Sequence, residues 1–143
     1  MIADFNTMPD MFSECNKKYF NSSLPIPRYD LIHKTSILAR FVYNPNKKGK
    51  HPIKWQIIKF SDCFDFPDDV FRDIMVHEMI HYYIAWNGIK DNKSHGKVFM
   101  QMANELNEKY GLHVTKNYDA SQFDKNPNVE MPSRWSLLNW LGF

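Results

Sequence analysis

Residues 67–86 constrain the fold more than any other stretch of the chain. The stretch opens with a proline and two aspartates, which suit the first turn of a helix, and Gly88 suits the end of that helix. At 3.6 residues per turn, apolar side chains cover almost every side. Such a helix must be enclosed by other elements, so we predict that it lies at the centre of the fold.

Weaker patterns on both sides predict the elements around this helix. Apolar residues at helical spacing predict one helix over 8–22 and another that starts after Ser94, its N-cap, and runs to Tyr110. A hairpin loop is predicted at 47–50. Runs of β-branched and aromatic residues predict three strands: 28–34, 37–43 and 53–60. A chain of 143 residues has room for one core, so we predict a single α+β domain over 1–143.

The centre of the predicted helix reads HEMIH at 77–81. His77 and His81 lie one turn apart on the same face and can bind one tetrahedral metal ion. Glu78 lies beside that site and can take a proton from a water that the metal activates. Buried polar groups are costly when unpaired, and a metal supplies the partner. The pattern predicts a zinc hydrolase; the alternative is two core histidines with ordinary hydrogen-bond partners.

A catalytic zinc site usually has a third protein ligand. The pattern HExxHxxGxxH fails here, because the chain has Ile84 and Asn87 where that pattern requires glycine and histidine. His95 is favoured, because it follows a turn that would return the next helix across the first. Glu105 and Glu108 are the alternatives. The other histidines are predicted to be surface or loop residues: His33, His51 and His113.

Charge is unevenly distributed, although the net charge is only +2. No acidic residue occurs over 31–61, and this basic stretch carries Lys34, Arg40, Lys47, Lys48, Lys50, Lys54 and Lys59. Such a stretch can hold phosphates, so Lys34–Lys59 predicts contact with DNA. The alternative is a solvated sheet surface on which lysines protect an edge strand.

Cysteine usage and hydropathy bear on the compartment. Cys15 and Cys63 are far apart in sequence, which excludes a disulfide framework and a cysteine-rich zinc knuckle. The first residues lack a signal-peptide pattern, and no apolar run is long enough to cross a membrane. We therefore expect a cytoplasmic protein that does not associate with membranes.

The HEMIH stretch, followed by HGKVF at 95–99, resembles the HExxH…HGxxF arrangement of the SprT-like (Spartan-type) zinc metalloproteases. Residues 19–25, YFNSSLP, are similar to the turn after the family's opening helix. Residues 58–61, IKFS, are similar to the end of the family's strand before the active-site helix. The resemblance covers about 5–112.

This resemblance implies three zinc ligands, His77, His81 and His95, and Glu78 as general base. It implies a zincin-like α+β domain with an N-terminal helix, a small mostly antiparallel sheet and two packed helices that carry the metal site. The strand at 56–60 would border the substrate cleft, and an extended substrate would pair with its free edge. Members of the family are linked to DNA, and Spartan-type members cleave proteins crosslinked to it.

Residues 117–143 fall outside the resemblance. The chain has neither the cysteine-rich zinc ribbon of many bacterial members nor the ubiquitin- and clamp-binding tails of Spartan-type members. We predict a C-terminal extension that packs on the core; the alternative is a partner-binding tail at 135–143. Three tyrosines are candidates for stabilising developing negative charge, because a phenol can donate a hydrogen bond: Tyr82, Tyr83 and Tyr118.

Three functions fit these observations. The first is a zinc endopeptidase of the HExxH class, acting on protein or peptide substrates that include DNA-associated proteins. The second is a nucleic-acid-binding protein with a structural or vestigial zinc site. The third is a dedicated regulatory peptidase that cuts one partner protein, docked through 135–143. The presence of Glu78 favours the interpretation as an enzyme. The lack of a candidate fourth ligand favours it as well, because a structural zinc would need four protein ligands.

Overall fold

The computed structural model describes residues 1–43 and 56–132. These residues form an α+β structure with three helices and small sheets, which confirms the α+β part of the predicted fold class; the zincin-like architecture stays a prediction. The helices are α1 (Thr7–Tyr19), α2 (Asp68–Trp86) and α3 (Lys97–Tyr110). The strands are β1 (Arg28–Ile32), β2 (Ala39–Tyr43), β3 (Gln56–Ser61), β4 (Phe64–Asp65) and β5 (Asp124–Lys125). A 3-10 turn, Ala120–Gln122, precedes β5.

The main sheet has the order β1-β3-β2 and is mixed. The pairing of β2 with β3 is antiparallel and places Phe41 opposite Ile58. The pairing of β1 with β3 is parallel and places Leu31 opposite Phe60. A second, antiparallel sheet joins β4 to β5. Antiparallel pairing therefore predominates as expected, but β1 runs parallel to the central strand.

The prediction of a free edge on the strand at 56–60 is wrong. This strand, β3, is paired on both sides, and the edge next to α2 belongs to β2. Burial explains the order: Ile58 and Phe60 of β3 are fully buried, whereas Arg40 of β2 is exposed. Every residue of β3 is buried or half-buried, as expected for a central strand, whereas no residue of β2 is fully buried.

The helix α2 lies at the centre of the fold, as its sequence predicts. Its buried side chains come from most sides of the helix: Phe71, Ile74, Met75, Val76, Met79, Ile80 and Tyr82. α1 packs against it, with the Phe12 ring stacked on that of Tyr82 at a centroid distance of 6.3 Å, and Met8 and Met11 of α1 are also buried. The Tyr82 hydroxyl donates a hydrogen bond of 2.9 Å to the Pro25 carbonyl, which ties the chain after α1 to this helix.

Several boundaries and connections differ from expectation. α1 ends at Tyr19 rather than at residue 22, because Asn21 and Ser22 take positive φ angles of 53° and 55° that a helix cannot continue. β5 was not predicted; its pairing with β4 brings Phe123 against Phe66, with ring centroids 5.5 Å apart.

Within the described residues, no helix has the length and apolar character needed to cross a membrane.

Some predictions fall outside the described residues. These are the hairpin loop at 47–50, the beginning of the strand predicted at 53–60, and the apolar segment at 133–143. The same holds for His51 and for four of the basic residues: Lys47, Lys48, Lys50 and Lys54.

Removing a ring from the central strand tests the predicted core. The Phe60 side chain is fully buried, and its ring stacks on Phe71 with centroids 4.7 Å apart. We expect Phe60→Ala to lower the free energy of unfolding by about 3–5 kcal/mol, measured by urea unfolding. The matched control is Phe5→Ala, at a ring that is 59% exposed, for which we expect a change within about 0.5 kcal/mol. Equal effects at the two positions would contradict the described core.

Candidate metal centre

Three imidazoles converge between α2 and the start of α3. His77 and His81 lie one turn apart on α2, and His95 lies just before α3. The Nε2 atom of His95 is 3.1 Å from Nε2 of His77 and 3.2 Å from Nε2 of His81. Three nitrogens at about 2.0–2.1 Å from one tetrahedral ion would be about 3.3 Å apart. The histidines predicted from the sequence are thus brought together at a spacing that suits one metal ion.

The hydrogen bond of His77 determines which ring nitrogen faces the cluster. Its Nδ1 atom lies 2.7 Å from the main-chain carbonyl of Thr115. A carbonyl only accepts, so Nδ1 carries the proton, and in the neutral ring Nε2 presents a lone pair to the other histidines. Metal-binding histidines commonly have such an outer partner, which orients the ring. The donor set therefore fits a metal ion.

Burial keeps these imidazoles in the neutral form that binds metals. It lowers the pKa of His77 and of His81 to about 4, and the neighbouring imidazoles add to the effect at His81. Burial also lowers the pKa of His95, and the charge of Lys116 acts in the same direction. At neutral pH all three rings are therefore free of the proton that would compete with a metal.

Glu78 lies beside the three histidines with little contact to water. Glu78 is 6% exposed, and its Oε2 atom is 3.9 Å from Nε2 of His77. Burial raises the pKa of Glu78 to about 8, against the opposing effects of the Phe41 main-chain N–H and the charge of Arg40. A cation held by the histidines would oppose the effect of burial, since it favours the charged carboxylate.

The position of His95 depends on an unusual cap at the start of α3. The Asp91 carboxylate accepts hydrogen bonds from the main-chain N–H groups of Val98 (3.2 Å) and Phe99 (2.9 Å). The prediction of Ser94 as N-cap is therefore wrong, and the helix begins at Lys97. The cap reaches across seven residues of chain, which a local capping pattern does not show.

Gly96 makes this cap sterically compatible with the chain. A Cβ atom at this position would collide with the side chains of Asp91 and Asn92. The Asn92 side chain accepts a hydrogen bond from the Lys97 N–H at 3.2 Å, so both capping side chains lie against the glycine. The glycine of the HGKVF stretch thus has a structural role next to His95.

A cleft of about 560 Å³ opens over the three histidines and Glu78. Its opposite wall is β2, with Ala39, Phe41 and Tyr43 among the lining residues. A smaller cavity of about 230 Å³ extends from Glu78 to Lys116 and Tyr118. The cleft is therefore bounded by the edge strand β2 and not by β3.

The remaining candidate residues are spread over the fold. Glu105 and Glu108, the alternative third ligands, are exposed on α3 and do not belong to the histidine cluster. The Tyr82 hydroxyl is bound to Pro25 in the core, and Tyr83 lines a separate groove. Tyr118 does lie beside the cluster, with its ring centroid 5.9 Å from that of His77.

The basic stretch is only partly described. Arg40 lines the cleft, and the ammonium group of Lys59 is 3.9 Å from the Asp30 carboxylate on the neighbouring strand. Contact of this stretch with DNA stays a prediction.

Thr115 and Lys116 were missed as contributors to the site, whereas Tyr118 was among the candidates named from the sequence. Thr115 contributes only its carbonyl, which every residue has, so no sequence signal was available. Lys116 and Tyr118 reach the site because the chain turns back after α3, and that turn is a tertiary feature.

The sequence matches the model of one protein family. The model of the SprT-like family matches residues 8–121, which is more than half of the chain. The match extends beyond residue 112, where the motifs had placed the end of the resemblance. The chain has no match among curated proteins.

The buried histidines predict how the stability of the metal-free protein depends on pH. Their folded pKa of about 4 lies below the unfolded value of about 6.5. The unfolded state then binds more protons between these values, so the free energy of unfolding falls as the pH drops through this window. In urea unfolding with a chelator, each histidine contributes a slope of up to about 1.4 kcal/mol per pH unit. We expect His81→Gln to show a shallower slope than the wild type.

His33→Gln is the control, because His33 affects the pH dependence of the free energy of unfolding in the opposite direction. A hydrogen bond to Asp62 raises the pKa of His33, so its contribution is present at low pH and is lost as the pH rises. We therefore expect His33→Gln to lose stability at acid pH as the wild type does. Identical slopes in the wild type and in His81→Gln would contradict the buried, neutral state of His81.

Gly96→Ala tests the cap that positions His95. Because the added methyl group would displace the capping side chains, we expect Zn²⁺ affinity to fall by about tenfold or more, measured by competition with a chromophoric chelator. The control is Gly111→Ala, at a residue with a φ of 69° that ends α3. It should cost about 1 kcal/mol of stability and leave Zn²⁺ affinity unchanged. Equal Zn²⁺ affinity in Gly96→Ala and the wild type would refute this role of the cap.

Proposed function

Because the chain belongs to the SprT-like family, which is associated with metallopeptidase activity, we propose that it is a zinc-dependent endopeptidase. One observation carries this proposal: three neutral imidazole nitrogens converge beside the buried carboxyl group of Glu78. Two helices and a capped turn hold this arrangement, and a cleft leads to it. Three ligands leave one position open, which distinguishes a catalytic zinc site from a structural one.

In the proposed enzyme, His77, His81 and His95 hold the ion through their Nε2 atoms. The Thr115 carbonyl keeps His77 in the required tautomer. A zinc ion in this site would activate a water molecule as nucleophile and polarise the carbonyl of the substrate. Zinc is favoured over harder ions such as Mg²⁺ because all three donors are imidazoles.

Glu78 acts as the general base of the proposed reaction. Its carboxylate takes a proton from the attacking water and later transfers it to the leaving amide nitrogen. Burial supports both steps, because it brings the pKa of Glu78 closer to neutrality than that of a solvated carboxyl group. Burial raises the pKa of Glu78, and the main-chain N–H of Phe41 partly offsets this effect by favouring the charged carboxylate.

The substrate is proposed to bind as an extended strand along β2. The Leu38 carbonyl accepts from the Ser61 N–H, so even-numbered residues of β2 direct their main-chain groups towards β3. Ala39, Phe41 and Tyr43 then direct theirs towards the edge that has no neighbour among the described residues. Pairing with that edge would place a peptide in the cleft over the histidines.

Tyr118 is the proposed stabiliser of negative charge on the substrate carbonyl. It lines a cavity together with Glu78 and Lys116. Its hydroxyl accepts from the Thr115 N–H at 3.2 Å and lies 3.4 Å from the His113 carbonyl, the weaker contact. That weak contact is the one a substrate oxyanion would replace as acceptor of the phenol proton.

A cleavage assay with matched glutamate variants tests the proposal. The wild type, Glu78→Gln and Glu105→Gln, each loaded with zinc, are incubated with a basic DNA-binding protein and followed on gels. We expect Glu78→Gln to retain zinc and to lose cleavage by about 10²-fold or more, because the general base is gone. Glu105→Gln, which changes an exposed glutamate of α3, should cleave like the wild type.

The same assay with and without single-stranded DNA tests the proposed partner. DNA bound through the basic stretch would bring enzyme and substrate together, so cleavage should rise with DNA and fall with added salt. If no lane shows cleavage while zinc is bound, the general peptidase proposal is wrong. A dedicated partner protein, or a nucleic-acid-binding role with a structural zinc, would then be favoured.

A further inference from the structure

A second cluster of metal-binding side chains lies where β1 and β3 end, and it shares no residue with the three-histidine site. This Cys63 cluster consists of His33, Asp62 and Cys63. Nδ1 of His33 is 2.7 Å from Oδ1 of Asp62. Sγ of Cys63 is 3.7 Å from that nitrogen and 3.5 Å from that oxygen. One nitrogen, one oxygen and one sulfur therefore face a common point.

The spacing of these three atoms fits a single ion. With ligand distances of about 2.0 Å for nitrogen and oxygen and about 2.3 Å for sulfur, the ion would subtend angles of about 85°, 109° and 119°. These angles describe a distorted tetrahedron with one open position. The set of thiolate, imidazole and carboxylate donors suits zinc or cobalt and does not suit magnesium or calcium.

The main chain around the cluster is held by hydrogen bonds. The Ser61 hydroxyl donates to the Lys34 carbonyl at 2.6 Å and accepts from the Cys63 N–H at 3.2 Å. Asn126, which is 3% exposed, donates through its side chain to the Asp62 carbonyl at 2.8 Å and through its N–H to the Cys63 carbonyl at 2.9 Å. Ligand positions fixed by packing in this way bind a metal with little reorganisation.

The cluster is accessible from one side only. Cys63 is fully buried, whereas the side chains of Asp62 and His33 are 20% and 48% exposed. An ion can thus enter past His33 and reach the thiol beneath it.

We propose that the Cys63 cluster is a second metal site, which binds a divalent transition ion such as Zn²⁺ and clamps the end of β1 to the end of β3. Without metal, the Cys63 thiol and the His33 Nδ1–H hydrogen-bond to Asp62. Metal binding replaces those contacts: the thiol proton and any proton on Nδ1 leave to solvent, and three metal–ligand bonds form. No oxidation or reduction takes place.

Cobalt substitution of the full chain tests this site separately from the three-histidine site. A thiolate bound to Co²⁺ gives a charge-transfer absorption band in the near ultraviolet, which imidazole ligands alone do not give. We expect Co²⁺ titration of the wild type to produce this band and to saturate at two equivalents. Zn²⁺ should remove the band by competition, and metal analysis should find two bound Zn²⁺ per chain.

Matched variants test whether the absorption band comes from the Cys63 thiolate. Cys63→Ala should abolish it and reduce binding to one equivalent, whereas Cys15→Ala, at the other buried cysteine, should leave both unchanged. His33→Ala changes a half-exposed side chain without opening the core, so its loss of the band cannot be ascribed to unfolding. His77→Gln should retain the band and lose the other equivalent. Circular dichroism confirms that each variant is folded.

Two results would overturn the proposal: a wild type saturated with Co²⁺ that lacks the thiolate band, or a band that persists in Cys63→Ala. Failure of the three-histidine site would be seen separately, as a wild type that shows the band but binds one equivalent. The thiolate band therefore tests the Cys63 cluster, and the second equivalent of bound metal tests the three-histidine site.

Discussion

The burial of α2 is the constraint on which the rest of the structure depends. A helix with apolar residues on most sides has to be enclosed, so α1, α3 and the sheet are arranged around it. The same enclosure removes water from His77, His81 and Glu78, which the helix carries at its centre. Desolvation keeps the imidazoles neutral and raises the pKa of the carboxyl group. The packing and the chemistry of the site therefore share one physical cause.

The sheet contributes the substrate side of the cleft through its strand order. Because β3 occupies the centre, β2 is left at the edge and faces the histidines. Main-chain groups of Ala39, Phe41 and Tyr43 are directed towards this edge, and the Phe41 N–H favours the charged form of Glu78 against the larger opposing effect of burial on its pKa. A strand added there would lie next to the general base of the proposed enzyme, which connects substrate binding and proton transfer in one element.

Much of the site could be read from local sequence, and the failures have a common origin. The i, i+4 spacing of His77 and His81 determines their common face in any helix, so their proximity followed from spacing alone. The free edge of the sheet and the cap of α3 were predicted wrongly. Strand order depends on which strand gains most from central burial, and the Asp91 cap reaches residues seven and eight positions further on, beyond the range of a local capping pattern. The role of the Thr115 carbonyl had no sequence signal, since every residue has that group.

The sequence by itself determined the α+β class, the central helix and the two histidines with their neighbouring glutamate, because these features rest on local periodicity and on the pattern of buried residues. It also identified the SprT-like family through short motifs, and the family model confirmed it over 8–121. Only the tertiary structure decided which strand borders the cleft, how the Asp91 cap places His95, and that His33, Asp62 and Cys63 meet. The strand order and the meeting of His33 with Cys63 depend on contacts between segments far apart in the chain, and the Asp91 cap depends on a loop conformation that local capping patterns do not show.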